Sequence, residues 1–336
     1  MEMVDIDITY INGELLKRGL PKLELERISF PKILLNEDKT SLVDQYGNKI
    51  GTKGDMYHKL ILAEILTNGT MDITPRPIYD DGTPSYSLSV NHSFEFSVTY
   101  DLTKGEFPIT TLRPIAYKKG VGEVLWIYKD QSNDLDLLFE KYGVDWWNKW
   151  DMGDRTIGQT YGKIIYDHDM VNVLLNGIKE NPDGRRHNIN MWQVEDFKKD
   201  FALQPCAYLT EWNVRHGKDG VEYLDMILRQ RSSDFQTAGA INQVQYVALQ
   251  YMFAKHLGLT PGRFTWSPNN VQIYCRHIEH AIELLNREPV NCNPHFEIND
   301  NIINFYNFEV ADVKLVGYPR KEIEEKNKQL TYELAV

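Results

Sequence analysis

The residue best suited to covalent chemistry is Cys206, in Leu203-Gln-Pro-Cys-Ala-Tyr208. A thiolate is a strong nucleophile when a nearby cation favours it, and a cysteine after a proline at the mouth of a strand can be presented to a cleft. A lone cysteine is more often buried and inert, so both readings stay open for Cys206; Cys275 and Cys292 lack such a setting and read as structural. A zinc deaminase needs a second cysteine three residues on, which Leu209 excludes. Arg185-Arg186 follow Asn181-Pro-Asp-Gly184, and Arg231 stands in Gln230-Arg-Ser-Ser-Asp234. These arginines are either solvated or form a phosphate site, because the guanidinium fork matches phosphate oxygens. Glu123 is flanked by Val121, Val124, Leu125 and Trp126. It either points outward or enters a cleft, where desolvation would raise its pKa toward general acid–base use. His277 and His280 have i,i+3 spacing but no third ligand in view, so they read as a solvated helix face rather than a metal pair.

The elements that must position these groups alternate irregularly. Val4–Ile11 alternates as one strand, and Asn12-Gly13 and Tyr46-Gly47 read as turns. Helical periodicity runs over Tyr57–Leu66, residues 117–141, Met170–Ile178, Gln243–Leu257 and Tyr274–Asn286. Residues 85–100 read as strands, Asp151–Gly162 as a loop, and Ala207–Val214 with Tyr223–Gln230 as a hairpin. Gln272 and Tyr274 alternate as if on a strand edge. Without a βαβ repeat this is an α+β chain. Residues 1–54 form a charged leader, expected to pack as strand and turns against the body and to be dispensable for activity; residues 55–336 form one catalytic domain.

With 48 acidic and 37 basic side chains the net charge is −11, which argues against a nucleic-acid or anionic-membrane footprint but leaves a small anionic ligand open. No apolar run is long enough to span a bilayer, and the acidic start lacks the basic residues and apolar run of a signal peptide. Three cysteines in unpaired spacing suit a reducing compartment. The expectation is therefore a cytoplasmic protein that binds neither membrane nor nucleic acid.

Taken in order, several stretches resemble the folate-dependent, cysteine-nucleophile thymidylate synthases, most nearly the Bacillus type. They are Thr110-Thr-Leu-Arg113, Glu123-Val-Leu-Trp-Ile-Tyr128, Trp147-Asn-Lys-Trp150, Thr156-Ile-Gly-Gln-Thr-Tyr-Gly162, Asn181-Pro-Asp-Gly-Arg-Arg186, Leu203-Gln-Pro-Cys206, Gln230-Arg-Ser-Ser-Asp234, Asn242, Tyr274-Cys-Arg-His277 and the ending Glu333-Leu-Ala-Val336. The resemblance implies a mixed β-sheet flanked by helices, with sheets packed back to back in a homodimer. It also implies a methyltransferase that reductively methylates dUMP to dTMP, with 5,10-methylenetetrahydrofolate as cosubstrate and no metal. Cys206 then matches the nucleophile that adds to C6 of uracil, Arg231 the arginine beside it, and Ser232 a further phosphate contact. Arg185 and Arg186 match the pair that reaches the partner subunit's phosphate site. Asn242 matches the amide that reads the pyrimidine, because it offers one donor and one acceptor. Glu123 and Tyr161 match the proton-transfer groups, and Gln272 and Tyr274 the ribose contacts. Trp147, Trp150 and Asp234 match the folate pocket, and Val336 the closing tail.

The match has departures. Thr237-Ala-Gly-Ala-Ile-Asn242 replaces the family's Leu-Gly-x-Pro-Phe-Asn, Gln272 replaces a histidine, and Leu112 stands where a lysine is common. Arg76, in Thr74-Pro-Arg-Pro77, is the candidate for the first phosphate-loop arginine. These differences keep two alternatives in view: a dUMP hydroxymethylase, in which water replaces the hydride, and a non-catalytic binding module of the same fold.

Overall fold

The computed structural model describes residues 2–91 and 97–336. Its centre is a five-stranded sheet with the spatial order Val98–Asp101, Thr260–Pro268, Glu222–Gln230, Ala207–His216, Asn188–Asn190. The hairpin expected from the sequence is present: Glu222–Gln230 runs antiparallel to Ala207–His216 and parallel to Thr260–Pro268. Strand alternation sends Leu224, Met226, Leu228 and Gln230 to one face with Trp212, Phe264 and Trp266, all buried. On the other face Tyr223, Asp225, Ile227 and Arg229 remain half-buried.

The buried face is covered by the helix Ala240–Leu257, which is apolar almost all round and has Val244, Val247, Leu249 and Phe253 fully buried. Against it lies the helix Tyr117–Tyr128, buried from Gly120 onward. A second sheet, Ser233–Asp234, Val271–Tyr274, Ser87–Val90 and Thr70–Met71, sits beside this pair. Its register aligns Asp234, Gln272, Ser89 and Thr70 in one row.

Several sequence expectations are corrected. The helix expected over residues 117–141 is two helices, Tyr117–Tyr128 and Leu135–Tyr142. Polar residues 129–134 interrupt it, and Asp134 caps the second helix by accepting from the N–H groups of Asp136 and Leu137. The strand expected over Val4–Ile11 ends at Ile6, because Asp7 accepts from the Thr9 N–H and hydroxyl and a helix runs Thr9–Lys17. Asn12-Gly13 lies inside that helix rather than in a turn. The helix expected from Tyr274 begins at Ile278; Val271–Tyr274 is a strand, and an inner one rather than an edge. Of the strands expected over residues 85–100, Ser87–Val90 and Val98–Asp101 are present, and residues 92–96 lie outside the described residues.

The leader shares the core of the body. Ile8, Ile11, Leu15, Ile28 and Phe30 are buried in the same cluster as the central helices, and Met3–Ile6 pairs with Ile28–Pro31. Residue 54 falls inside the helix Lys53–Asn68, whose capping box joins Thr52 to Asp55. The Asp55 carboxylate, fully buried, also accepts from the Thr110 hydroxyl and from the backbone and hydroxyl of Thr111. No helix among the described residues is long and apolar enough to cross a membrane.

Candidate active site

Where the two helices, the second sheet and the C-terminal tail converge there is a cavity of about 880 Å³. All of the site residues expected from the sequence line it except Arg185, Arg186 and Val336. Cys206 stands immediately before the strand Ala207–His216, so the strand end presents its thiol to the cavity. The neighbouring strand ends at Gln230, and the turn that follows returns Arg231 to the same point: its N–H donates to the Cys206 carbonyl. The guanidinium is then held by the carbonyls of Gln204 and Pro205 and comes within 3.5 Å of Cys206 Sγ. Burial pushes the thiol pKa up, while Arg231, Tyr161 and Arg76 pull it down. The fixed cation is thus what makes a thiolate accessible in a desolvated setting.

Tyr161 closes the other side. Its hydroxyl accepts from the Cys206 N–H at 3.0 Å, and its ring packs edge-on to Trp147. Its backbone sits at φ +45°, unusual for a non-glycine residue. Gly162 permits this turn, since a Cβ there would lie 2.2 Å from the Ser132 carbonyl oxygen.

Glu123 faces the cavity and is only 6% exposed, which decides against the outward reading. Its Oε2 accepts from the indole N–H groups of Trp146 and Trp147, and its Oε1 from Gln245 Nε2 at 3.2 Å. Burial raises its pKa and the three donors lower it. Burial also pushes the Asp234 carboxyl up to about 6, against the hydrogen bonds donated by Thr237 and the charge of Arg113.

Asn242 is oriented by a relay. The Trp266 indole N–H donates to Gln230 Oε1, and Gln230 Nε2 donates to Asn242 Oδ1 at 3.2 Å. The Asn242 N–H groups are thereby left for the cavity, beside one remaining acceptor lone pair. Gln272 Oε1 accepts from the Ser232 hydroxyl at 3.3 Å, so these two are neighbours in the wall.

Arg185 and Arg186 lie outside this cavity. They are exposed in the turn before Asn188–Asn190, and their side chains make no ion pair among the described residues. Val336 does not line the cavity either; Leu334 and Ala335 do. Val336 instead exchanges two backbone hydrogen bonds with Ile78, two residues beyond Arg76. Arg276 bridges Glu333 to Asp81, and Lys149 bridges the Leu334 carbonyl to Asp80, so the tail is fastened to the Arg76 loop at three points.

The histidine pair is not a solvated face. His277 is 2% exposed and stacks on His280, with Tyr332 of the tail edge-on to both. Among the described residues no cluster of three His, Cys, Asp or Glu could hold a metal.

Among the lining residues that sequence reasoning did not single out, three bear on the chemistry. Trp146 supplies a second indole to Glu123, adjacent to the tryptophan already singled out. Leu112 is fully buried, and the cation of that stretch is Arg113, which lines the cavity beneath Tyr332. Gln245 stands one helical turn after Asn242, an i,i+3 signal that the sequence did carry.

The chain as a whole is similar to known proteins. Residues 55–329 match the family model described as thymidylate synthase. Thymidylate synthases of Streptococcus pneumoniae and Streptococcus gordonii are 46% and 45% identical over 288 residues, covering 85% of this chain and the whole of each relative. The thermostable thymidylate synthase A of Bacillus subtilis superposes with a TM-score of 0.74 at 32% identity, covering 84% of this chain and 99% of that one.

Proposed function

The chain belongs to the thymidylate synthase family, and from that premise we infer that its cavity performs the reductive methylation of dUMP to dTMP with 5,10-methylenetetrahydrofolate. The observation that carries this reading is the Arg231 guanidinium 3.5 Å from a buried thiol that shares one cavity with Glu123.

Cys206 adds through sulfur to C6 of the uracil ring, and the electron pair moves to C5 and the O4 carbonyl, so C5 becomes nucleophilic. Asn242 accepts from N3–H and donates to O4, which selects uracil over cytosine. Arg231, Ser232 and Arg76 take the phosphate of dUMP, with Arg185 and Arg186 supplied by the partner of a homodimer. The half-buried outer face of the five-stranded sheet, with Tyr223, Ile227 and the ion pairs Arg229–Glu211 and Arg215–Asp225, is the surface for that partner. Gln272 and Tyr274 take the ribose hydroxyl. Glu123 and Tyr161 handle the protons at O4 and C5.

The reduced folate supplies the one-carbon unit and the hydride. Its ring system fits the residues present: Trp147 and Trp150 offer two adjoining aromatic surfaces, and the Asp234 carboxyl can exchange hydrogen bonds with a pterin edge. The tail Glu333–Val336 excludes water from this compartment. The relatives named above are synthases, which does not favour the hydroxymethylase reading, and a nucleophile, carboxylate and cation in one cavity do not favour a binding module. Purified protein with dUMP and methylenetetrahydrofolate forms dihydrofolate, followed by absorbance; formation of hydroxymethyl-dUMP with tetrahydrofolate would overturn the reading.

A further inference from the structure

We propose that Gln245 is a positioning residue for Glu123: its amide N–H pins one carboxyl oxygen while the Trp146 and Trp147 indoles hold the other. This rests on the reading of Glu123 as the proton-handling carboxylate. Gln245 is 2% exposed and lies on the helix Ala240–Leu257 one turn beyond Asn242. Gly120, one turn before Glu123 on the facing helix, lets the two helices approach. A Cβ there would meet Ile241 Cγ1 at 3.0 Å and Gln245 Cβ at 3.4 Å. The close approach brings Gln245 Nε2 to 3.2 Å from Glu123 Oε1, while both indoles hold Oε2. The carboxyl plane is therefore fixed from two elements at once.

With Nε2 committed to Glu123, the Gln245 carbonyl is fixed too. Gln245 Oε1 is buried, has no partner among the described residues, and belongs to a residue that lines the cavity. Gln245 thus keeps Glu123 in plane from the long helix.

The titratable groups facing Glu123 are Tyr161 from its turn and Tyr246 from the long helix. Both stay neutral well above the pH range of the test, because burial raises their pKa far beyond the usual value. Asp234, raised to about 6 in the same cavity, titrates in this range as well, but Gln245 donates to Glu123 and not to Asp234, so the part of the acid limb that moves in the Gln245 variants reports Glu123.

The test compares Gln245→Met, which keeps the shape and loses the amide, with wild type and with Glu123→Gln. In Gln245→Met, kcat falls about tenfold, KM for dUMP stays within about twofold, and the acid limb of kcat moves up by about one pH unit, since a donor to a charged group is lost. Gln245→Glu, the second variant should the first not fold, places two carboxyls on one proton and moves the limb up further. An unchanged kcat and acid limb in either variant, with Glu123→Gln inactive, would sink this inference alone. Full activity of Glu123→Gln would instead sink the underlying reading.

Discussion

Cys206 and Arg231 form a pair in which neither residue suffices alone. A desolvated thiol without the guanidinium has a raised pKa and is a poor nucleophile, and an arginine without the two carbonyls of Gln204 and Pro205 would not stay beside it. Cys206→Ser therefore abolishes turnover and the covalent capture of 5-fluoro-dUMP while the thermal midpoint stays close to wild type; turnover at the original rate would remove Cys206 from the mechanism. At Asn242 the relay from Trp266 through Gln230 fixes which way the amide points. An aspartate there cannot donate to O4 and instead suits the amino group of cytosine. Asn242→Asp is expected to lower kcat/KM for dUMP by about 10- to 100-fold, roughly one to two lost hydrogen bonds, and to raise that for dCMP. An unaltered ratio of the two substrates would show that uracil is read elsewhere.

At the scale of elements, the site depends on turns that strain or crowding has made specific. Gly162 leaves no room for a side chain against Ser132, and Tyr161 before it holds a positive φ. Gly162→Ala displaces this turn and with it the hydroxyl bonded to Cys206, at a cost of about 1–3 kcal/mol, read as a lower midpoint in denaturant and a lower kcat. Asp234, at the end of a two-residue strand, has its folded pKa raised to about 6. A carboxyl with a raised folded pKa favours the folded state fully below its unfolded value near 4, and that contribution is lost as pH rises through about 6. Asp234→Asn removes this loss, so the difference in midpoint between variant and wild type, measured without ligands, grows from pH 4 to pH 7. A constant difference across that range would show that Asp234 titrates normally.

At the scale of the molecule, two features bear on whether residues 55–336, 282 in all, act alone. Arg185 and Arg186 are exposed and do not line the cavity of their own chain, and the proposed function draws them from a partner. Mixing inactive Cys206→Ser with inactive Arg186→Ala after unfolding and refolding should restore activity, because some dimers then contain one intact site; no recovery would place the arginines outside the reaction. The leader is the second feature. Its apolar side chains lie in the common core, and truncation after residue 54 also deletes Thr52, the cap of Lys53–Asn68. Loss of the cap alone is worth about 1 kcal/mol, and the exposed Ile and Phe contacts add to it. The truncated protein is therefore expected to melt at least about 5 °C lower, with residual activity below that temperature; an unchanged melting temperature would mean that the leader packs without contributing.

The sequence by itself determined the chemistry and most of the elements. Cys206 after Pro205, Arg231 after a strand, the tryptophan repeat and the amide at 242 are local patterns, and strand or helix periodicity follows from side chains every second or every three to four residues. It missed the break at residues 129–134, where a capping carboxylate outweighs periodicity, and it read Gln272 and Tyr274 as a strand edge and began the helix at Tyr274, although ladder pairing on both sides makes Val271–Tyr274 an inner strand. It also took the His277–His280 pair as solvated, because nothing local reveals that Tyr332 covers it from the chain end. Only the tertiary structure decided that Glu123 points inward, that Arg113 rather than Leu112 faces the cavity, and that Gln245 reaches the carboxylate. Each of these depends on which faces of two distant segments meet and how closely, and that is set by long-range packing.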